Sequence, residues 1–360
     1  MKELSRNQRI TSIDALRAFA LLGILLVHTS QLFNYDNYYN EFSYFTDQGL
    51  YIKHFILLIF EGKCKIIFSI LFGVSFYLIL RNPNYSINRF RWRCCLLILF
   101  GLINKIIFTT DILCWYGING LFLSLLPIRR IKPVFIFFFF ILLFILSMQP
   151  FVDLGNLLFP NAEYTQRYLS SYGIKYVLSY SKLMIIKEDI HLFWSQGTLT
   201  LSYFVFGYYL GFSGRIENIQ KYIHTRMVVV MMGLSFLFFI LFKYSGYLPY
   251  IHMVYNFVTA LFYSVLFLYI YNKIGLLKIL DNYGRLGLTN YSTQNWLPIL
   301  FFICIFHPLK ISIEYLYLFS LFFYITQILF SNYWLKRYKY GPLEFCWRIA
   351  TNLKWSDNKK

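Results

Sequence analysis

The chain has 360 residues, of which 58% are hydrophobic and 22% aromatic but only 14% charged, and its mean hydropathy is +0.53. A soluble domain of this length could not cover so much apolar side chain, so composition excludes an ordinary globular enzyme and points to a helical membrane protein. The formal net charge of +18 then reads as membrane topology and attraction to anionic lipid headgroups, not as a nucleic-acid footprint.

In chain order, apolar runs predict ten transmembrane helices at about 13–33, 64–80, 94–108, 112–128, 134–151, 191–212, 227–243, 249–271, 287–306 and 311–333. The expected fold is therefore all-α, a polytopic integral membrane bundle. The first run contains an arginine and is followed by no small-residue cleavage site, so it is expected to be a span and not a signal peptide. With the N-terminus inside, clusters such as Arg89, Arg91 and Arg93, then Arg129, Arg130 and Lys132, then Lys336, Arg337 and Lys339 all fall inside. Most of the 34 Lys and Arg sit inside and most of the 16 acidic residues outside, which fixes an N-in, C-in arrangement.

The expected organisation is a short inside N-terminus (1–12), one membrane domain (13–333) and a basic inside tail (334–360). Within the domain, the longest segment between spans, about 152–190, is expected outside. Its stretch YGIKYVLSYSKLMIIK is either an interfacial amphipathic helix or a structured connector. Residues 51–60, YIKHFILLIF, are too short to span and read as an outside half-helix or re-entrant segment. The tail 337–355 mixes basic residues with Trp, Phe and Leu, as suits a helix lying at the inner interface. No internal repeat is evident, which weighs against a transporter built from duplicated halves. The six cysteines form no CxxC pair and read as small core residues.

Polar residues inside spans carry the functional signal. Arg17 and His28 are eleven residues apart on the first span, so they share a face and lie about 16–17 Å apart along the helix. Asp14 is one turn before Arg17 and able to pair with it. Arg17 either meets a ligand at the inner boundary or snorkels to headgroups, and His28 is either a general base or a hydrogen-bonded packing residue. Asp111 at the start of the fourth span either orients His28 or caps the helix. Glu61 and Lys63 flank Gly62 at the outer mouth, as an ion pair or a substrate-binding site. Asn290, Tyr291 and Gln294 line a cofactor path or bond helices together. His191 in IHLFWSQG is a candidate for meeting an outer substrate, whereas His54, His224, His252 and His307 fall near span ends or in loops. No Walker loop, dinucleotide fingerprint or metal-ligand spacing occurs, and no metal is expected.

The segment RITSIDALRAFALLGILLVH (9–28), with Asp-x-Leu-Arg and then ten residues from Arg to His, resembles the opening of the membrane-bound acyltransferase family 3 superfamily. EGKCKIIFSILFGVSF (61–76), RWRCCLLILFGLINKIIFTTDILCWYGINGL (91–121), GRLGLTNYSTQNW (284–296) and GPLEFCWR (341–348) resemble one branch, the YeiB-like proteins, domain-of-unknown-function family 418. That branch commonly has Gly at Ala18 and often Asn at His28, so His28 brings this chain closer to the acyltransferases. The resemblance implies transfer of an acyl group, acetyl for instance, from cytoplasmic acyl-CoA to an extracytoplasmic or lipid-linked glycan or small-molecule acceptor. It implies Arg17 at the CoA moiety and His28 at the thioester; beside them Asp14, Asn290 and Gln294 are the candidates for the CoA side, Asp111 for the catalytic centre, and Glu61, Lys63 and His191 for the acceptor. The expected setting is a bacterial cytoplasmic membrane, with lipids as surroundings and no nucleic acid. Two other readings stay open: a transporter or flippase using the same polar seam, and a non-catalytic membrane component.

Overall fold

The computed structural model describes residues 10–32, 43–44, 46–82, 85–107, 111–126, 131–148, 197–214, 216, 219–246, 248–301 and 311–352. The expected outer segment 152–190 and His191 lie outside these residues. The described chain is all-α apart from a two-residue parallel pairing of β1 (Ser43–Tyr44) with β2 (Ile311–Ser312).

The helices are α1 (Thr11–Leu32), α2 (Asp47–Phe60), α3 (Lys63–Leu80), α4 (Ile87–Ile107), α5 (Leu113–Leu125), α6 (Pro133–Leu146) and α7 (Thr198–Phe212). They continue as α8 (Ile219–Tyr222), α9 (Thr225–Tyr244), α10 (Pro249–Lys273), α11 (Ile279–Arg285), α12 (Gly287–Phe301), α13 (Ile313–Arg337) and α14 (Pro342–Asn352). Each of the ten expected spans overlaps one of these helices. Four, however, are both long and apolar enough to cross a membrane: α1, α9, α10 and α13. Helices α5 and α6 are apolar but of 13 and 14 residues, about 20 Å at 1.5 Å per residue, short of a hydrocarbon core of about 30 Å.

The first of these helices, α1, is the hub. It packs against α3, α11, α13, α2, α12 and α10, and small residues let them approach: Ala15, Ala18 and Ala20 are fully covered. Gly284 of α11 sits so close to the Asp14 backbone that any Cβ would collide with its carbonyl. The crossing of α3 and α7 is also close. There Gly73 faces the Phe204 carbonyl and Gly207 faces the Ile70 carbonyl, so each helix uses a glycine to admit the other's backbone. Helices α4 and α5 repeat the device with Gly101 against Cys114 and Gly117 against Cys94 and Ile98.

The outward surface is apolar. Helix α9 exposes Met227, Val230, Met232, Phe236 and Leu241 and buries Ser235 alone, and α13 exposes Leu318, Phe322, Ile325 and Leu329. The interior meanwhile holds His28, Asn104, Asp111, Asn119, Gln294 and Asn295. A water-exposed protein avoids contiguous apolar faces of this extent, so the arrangement is compatible with a membrane protein. Residues 51–60 do fold as the greater part of a short helix, α2, which starts on Thr46 (its hydroxyl accepts from the Gly49 N–H at 2.9 Å). The tail folds as the amphipathic α14.

Candidate functional site

Start at the N-terminal end of α1. The Arg17 guanidinium donates from Nη1 to Asp14 Oδ1 at 2.8 Å and to the Gly284 carbonyl at 3.2 Å, and from Nη2 to Ser75 Oγ at 3.2 Å. One of these bonds stays within α1 and two fasten α1 to α11 and α3, which leaves two of the five guanidinium donors without a hydrogen bond among the described residues. The side chain is only 20% exposed and faces a cavity of about 940 Å³.

That cavity is strongly cationic. Arg17, Arg81, Arg89, Arg93, Arg285 and Arg348, together with Lys221, line it against two carboxylates, Asp14 and Glu344. At its other end the lining turns apolar, with Phe68, Phe72, Leu97 and Leu113. Arg89 and Arg93 are four residues apart on α4 and so project from one face. The tail helix closes one side. Arg93 lies 4.3 Å over the Trp347 ring, Trp347 Nε1 donates to the Arg93 carbonyl at 3.3 Å, and Trp92 Nε1 donates to Ala350 O at 2.9 Å. Glu344 accepts from the Leu288 and Thr289 amides at 2.7 and 3.0 Å and from Thr289 Oγ1 at 2.5 Å. Burial pushes the Glu344 carboxyl above its usual range, against the opposing pull of those hydrogen bonds.

Three turns further along α1 lies His28, buried. Its Nδ1 is 3.0 Å from Asn295 Oδ1 on α12, and its ring meets Tyr291 edge-on, centroids 6.2 Å apart. Tyr291 in turn hydrogen-bonds Asp111 and receives the Ile112 amide at 3.3 Å. Asp111 accepts from Asn104 Nδ2 at 3.1 Å and from the Leu113 amide at 2.9 Å, so it caps the first turn of α5. Tyr291 therefore stands between Asp111 and His28. It also stands between His28 and the cavity, because the Phe68 ring that ends the cavity stacks on Tyr291 at 6.3 Å. Lys65 is near enough for its charge to act on His28.

The remaining candidates divide. Asn290 binds helices together: its Nδ2 donates to the Tyr283 carbonyl at 2.9 Å and Ser331 Oγ at 3.0 Å, and its carbonyl accepts from Gln327 Nε2 at 3.0 Å. Gln294 is fully buried, and neither of its amide atoms has a hydrogen-bond partner among the described residues. Glu61 and Lys63 share a separate pocket of about 210 Å³ with His54, His252 and Tyr255. There Lys63 Nζ donates to the Leu58 carbonyl at 2.8 Å and lies 4.8 Å over the Tyr255 ring. His252 stacks on Phe242 at 4.7 Å. This pocket lies at the N-terminal end of α3 and the cationic cavity at its C-terminal end. Among the described residues no group of three His, Cys, Asp or Glu is placed to hold a metal ion.

Asn295 and the arginines of α4 and α14 escaped the sequence reading. Asn295 adjoins Gln294 in a segment already marked as polar, and Arg89 and Arg93 had the spacing of a shared face but read as topology alone.

The family described as "Protein of unknown function (DUF418)" matches residues 215–354, which hold Asn290, Gln294, Asn295, Glu344 and Arg348. An "Uncharacterized 39.9 kDa protein in amylase 3'region" of Bacillus acidopullulyticus is 30% identical, over 98% of this chain and 96% of its own length. The "Uncharacterized protein YxaH" of Bacillus subtilis (strain 168) is 26% identical, over 97% of this chain and 96% of its own length. No solved structure matches significantly. The α12–α14 half of the site lies inside the matched family region and the α1 half joins it through relatives that span nearly the whole chain: the protein belongs to the DUF418 family.

Proposed function

We propose that this chain is a multi-pass protein of a bacterial cytoplasmic membrane, with about ten spans and both termini inside, and that it transfers an acyl group from cytoplasmic acyl-CoA to an extracytoplasmic or lipid-linked acceptor. The link to the membrane-bound acyltransferase superfamily rests on the Arg17-to-His28 motif. The observation that carries the reading is the cationic cavity at Arg17. Its surplus of arginine forks suits a ligand with several phosphates, and its apolar end suits the uncharged arm and acyl chain that follow them.

In this reading the donor phosphates sit among Arg17, Arg81, Arg89, Arg93 and Arg348, and the thioester reaches past Phe68 and Phe72 towards His28. His28 Nε2 takes the proton of the acceptor hydroxyl or amine as that atom bonds to the thioester carbon. The carbon–sulfur bond then breaks, and the leaving thiolate receives the proton from the imidazolium. Because the stacked rings of Phe68 and Tyr291 close the cavity short of His28, they move aside before the thioester arrives. Glu61, Lys63 and His191 belong to the acceptor side.

The protein in lipid nanodiscs should bind CoA, lose that binding in Arg17→Ala, and transfer the acyl group from acetyl-CoA only when His28 is intact. Turnover retained in a folded His28→Ala, or no CoA binding to the wild type at millimolar concentration, sinks the proposal. A transporter reading draws on one observation, the two separate pockets at opposite ends of α3. It requires substrate movement across the membrane with no acyl donor present.

A further inference from the structure

We infer that Asn295 is the positioning residue of His28, holding the imidazole as the tautomer that carries its proton on Nδ1 and presents Nε2 as the basic nitrogen. The two residues are 267 positions apart in sequence, yet their side chains meet at 3.0 Å in the buried interface of α1 and α12. A carbonyl oxygen only accepts, so the proton in that contact belongs to His28 Nδ1, and the neutral ring then bears its lone pair on Nε2.

The surroundings fit the role. Tyr291, Gln294 and Asn295 follow the i, i+3, i+4 spacing of one helix face, and Tyr291 fixes the plane of the imidazole by its edge-on contact. Asn295 Nδ2 and both amide atoms of Gln294 are buried with no hydrogen-bond partner among the described residues. Buried amide donors are costly to leave unpaired, so this face offers donors to an oxygen arriving beside the ring. An amide orients the histidine without adding a second buried carboxylate to the one Asp111 already places against Tyr291. What Nε2 does with its lone pair rests on the group-transfer reading above; the tautomer itself does not.

The test is nitrogen-15 NMR of the full-length histidine-labelled protein in lipid, with the His28 signals assigned by their loss in His28→Gln. The wild type should show His28 protonated on Nδ1. Asn295→Ala should shift the tautomer ratio roughly tenfold towards Nε2–H, the worth of one hydrogen bond. Asn295→Asp, which keeps an acceptor oxygen, should retain Nδ1–H. The five other histidines report in the same spectra whether each variant is folded. Nε2–H in the wild type, or an unchanged ratio in folded Asn295→Ala, overturns the assignment whether or not any variant folds poorly. An Nδ1–H tautomer in a protein that transfers no acyl group overturns the function and leaves the positioning role standing; Nε2–H in an active protein does the reverse.

Discussion

Glu344 caps the helix that carries Asn295. Its carboxylate takes the Leu288 and Thr289 amides and the Thr289 hydroxyl at 2.5–3.0 Å, while Thr289 Oγ1 accepts the Leu343 amide at 3.1 Å. The amphipathic tail is thus joined to the first turn of α12 by reciprocal bonds, where an acidic side chain is favoured. Glu344→Ala should cost about 1–2 kcal/mol and loosen α14, read as a lower Tm in nanodiscs and faster proteolysis after Arg337. Glu344→Gln, which keeps an acceptor oxygen, should cost less.

The same residue gives a pH dependence. Unfolded, Glu344 titrates near its ordinary 4.5, and in the folded protein burial holds it higher. In the window just above pH 4.5 the folded state therefore keeps a proton that the unfolded state has released. This contribution to stability is complete below pH 4.5 and is lost as pH rises through the folded pKa. The Tm of wild type relative to Glu344→Gln should fall across that window and level off above it; a difference that grows with pH would contradict the burial argument.

The cationic cavity makes a separate prediction. Arg93→Ala or Arg89→Ala should each weaken CoA binding roughly tenfold, as expected for loss of one charged hydrogen bond, and the wild-type affinity should fall as salt is raised. Arg17→Lys should not restore what Arg17→Ala loses. A single ammonium cannot hold Asp14, the Gly284 carbonyl and Ser75 and still face the ligand. Calorimetric titration at two ionic strengths checks both.

Glycine close packing separates two substitutions that look alike in sequence. Gly73→Val puts a branched side chain where even a Cβ meets the Phe204 carbonyl, so the α3–α7 crossing must open, at a cost of several kcal/mol. Gly233→Val on α9 meets nothing within 4 Å and should leave expression and Tm nearly unchanged. Size-exclusion profiles of the two purified variants decide the matter.

Much of this was legible in the sequence, and the reason is the solvent. Long apolar runs announce helices whatever their neighbours, so α1, α9, α10 and α13 could be placed directly, and the apolar, basic mixture of 337–355 announced α14. Partners were not legible. Helices that are hydrophobic all round carry no amphipathic stripe to say which face meets which, so Asn295 could not be matched to His28, nor Trp347 to Arg93. The charge of Arg89 and Arg93 fitted the topology equally well whether they faced lipid headgroups or a cavity. Asp111 had two open roles in sequence; the structure joins it to the α5 cap and to Tyr291, and gives the contact with His28 Nδ1 to Asn295.

The wall between cavity and histidine can be probed without any assumption about turnover. Phe68 stacks on Tyr291 and meets Tyr116 at a tilt, the latter with centroids 5.7 Å apart, so Phe68→Ala should cost about 3–5 kcal/mol and leave an opening from the cavity towards His28. A small imidazole-modifying reagent should then reach His28 faster than in the wild type, whereas Tyr291→Phe should keep the rings in place and the reagent out. Tyr291→Phe loses only the bonds to Asp111 and the Ile112 amide, about 1 kcal/mol, and Asp111 retains Asn104 and Leu113. Mass-spectrometric rates of His28 modification in the three proteins give the answer. Equal rates in wild type and folded Phe68→Ala would mean that the aromatic pair is not what separates the two ends of the site.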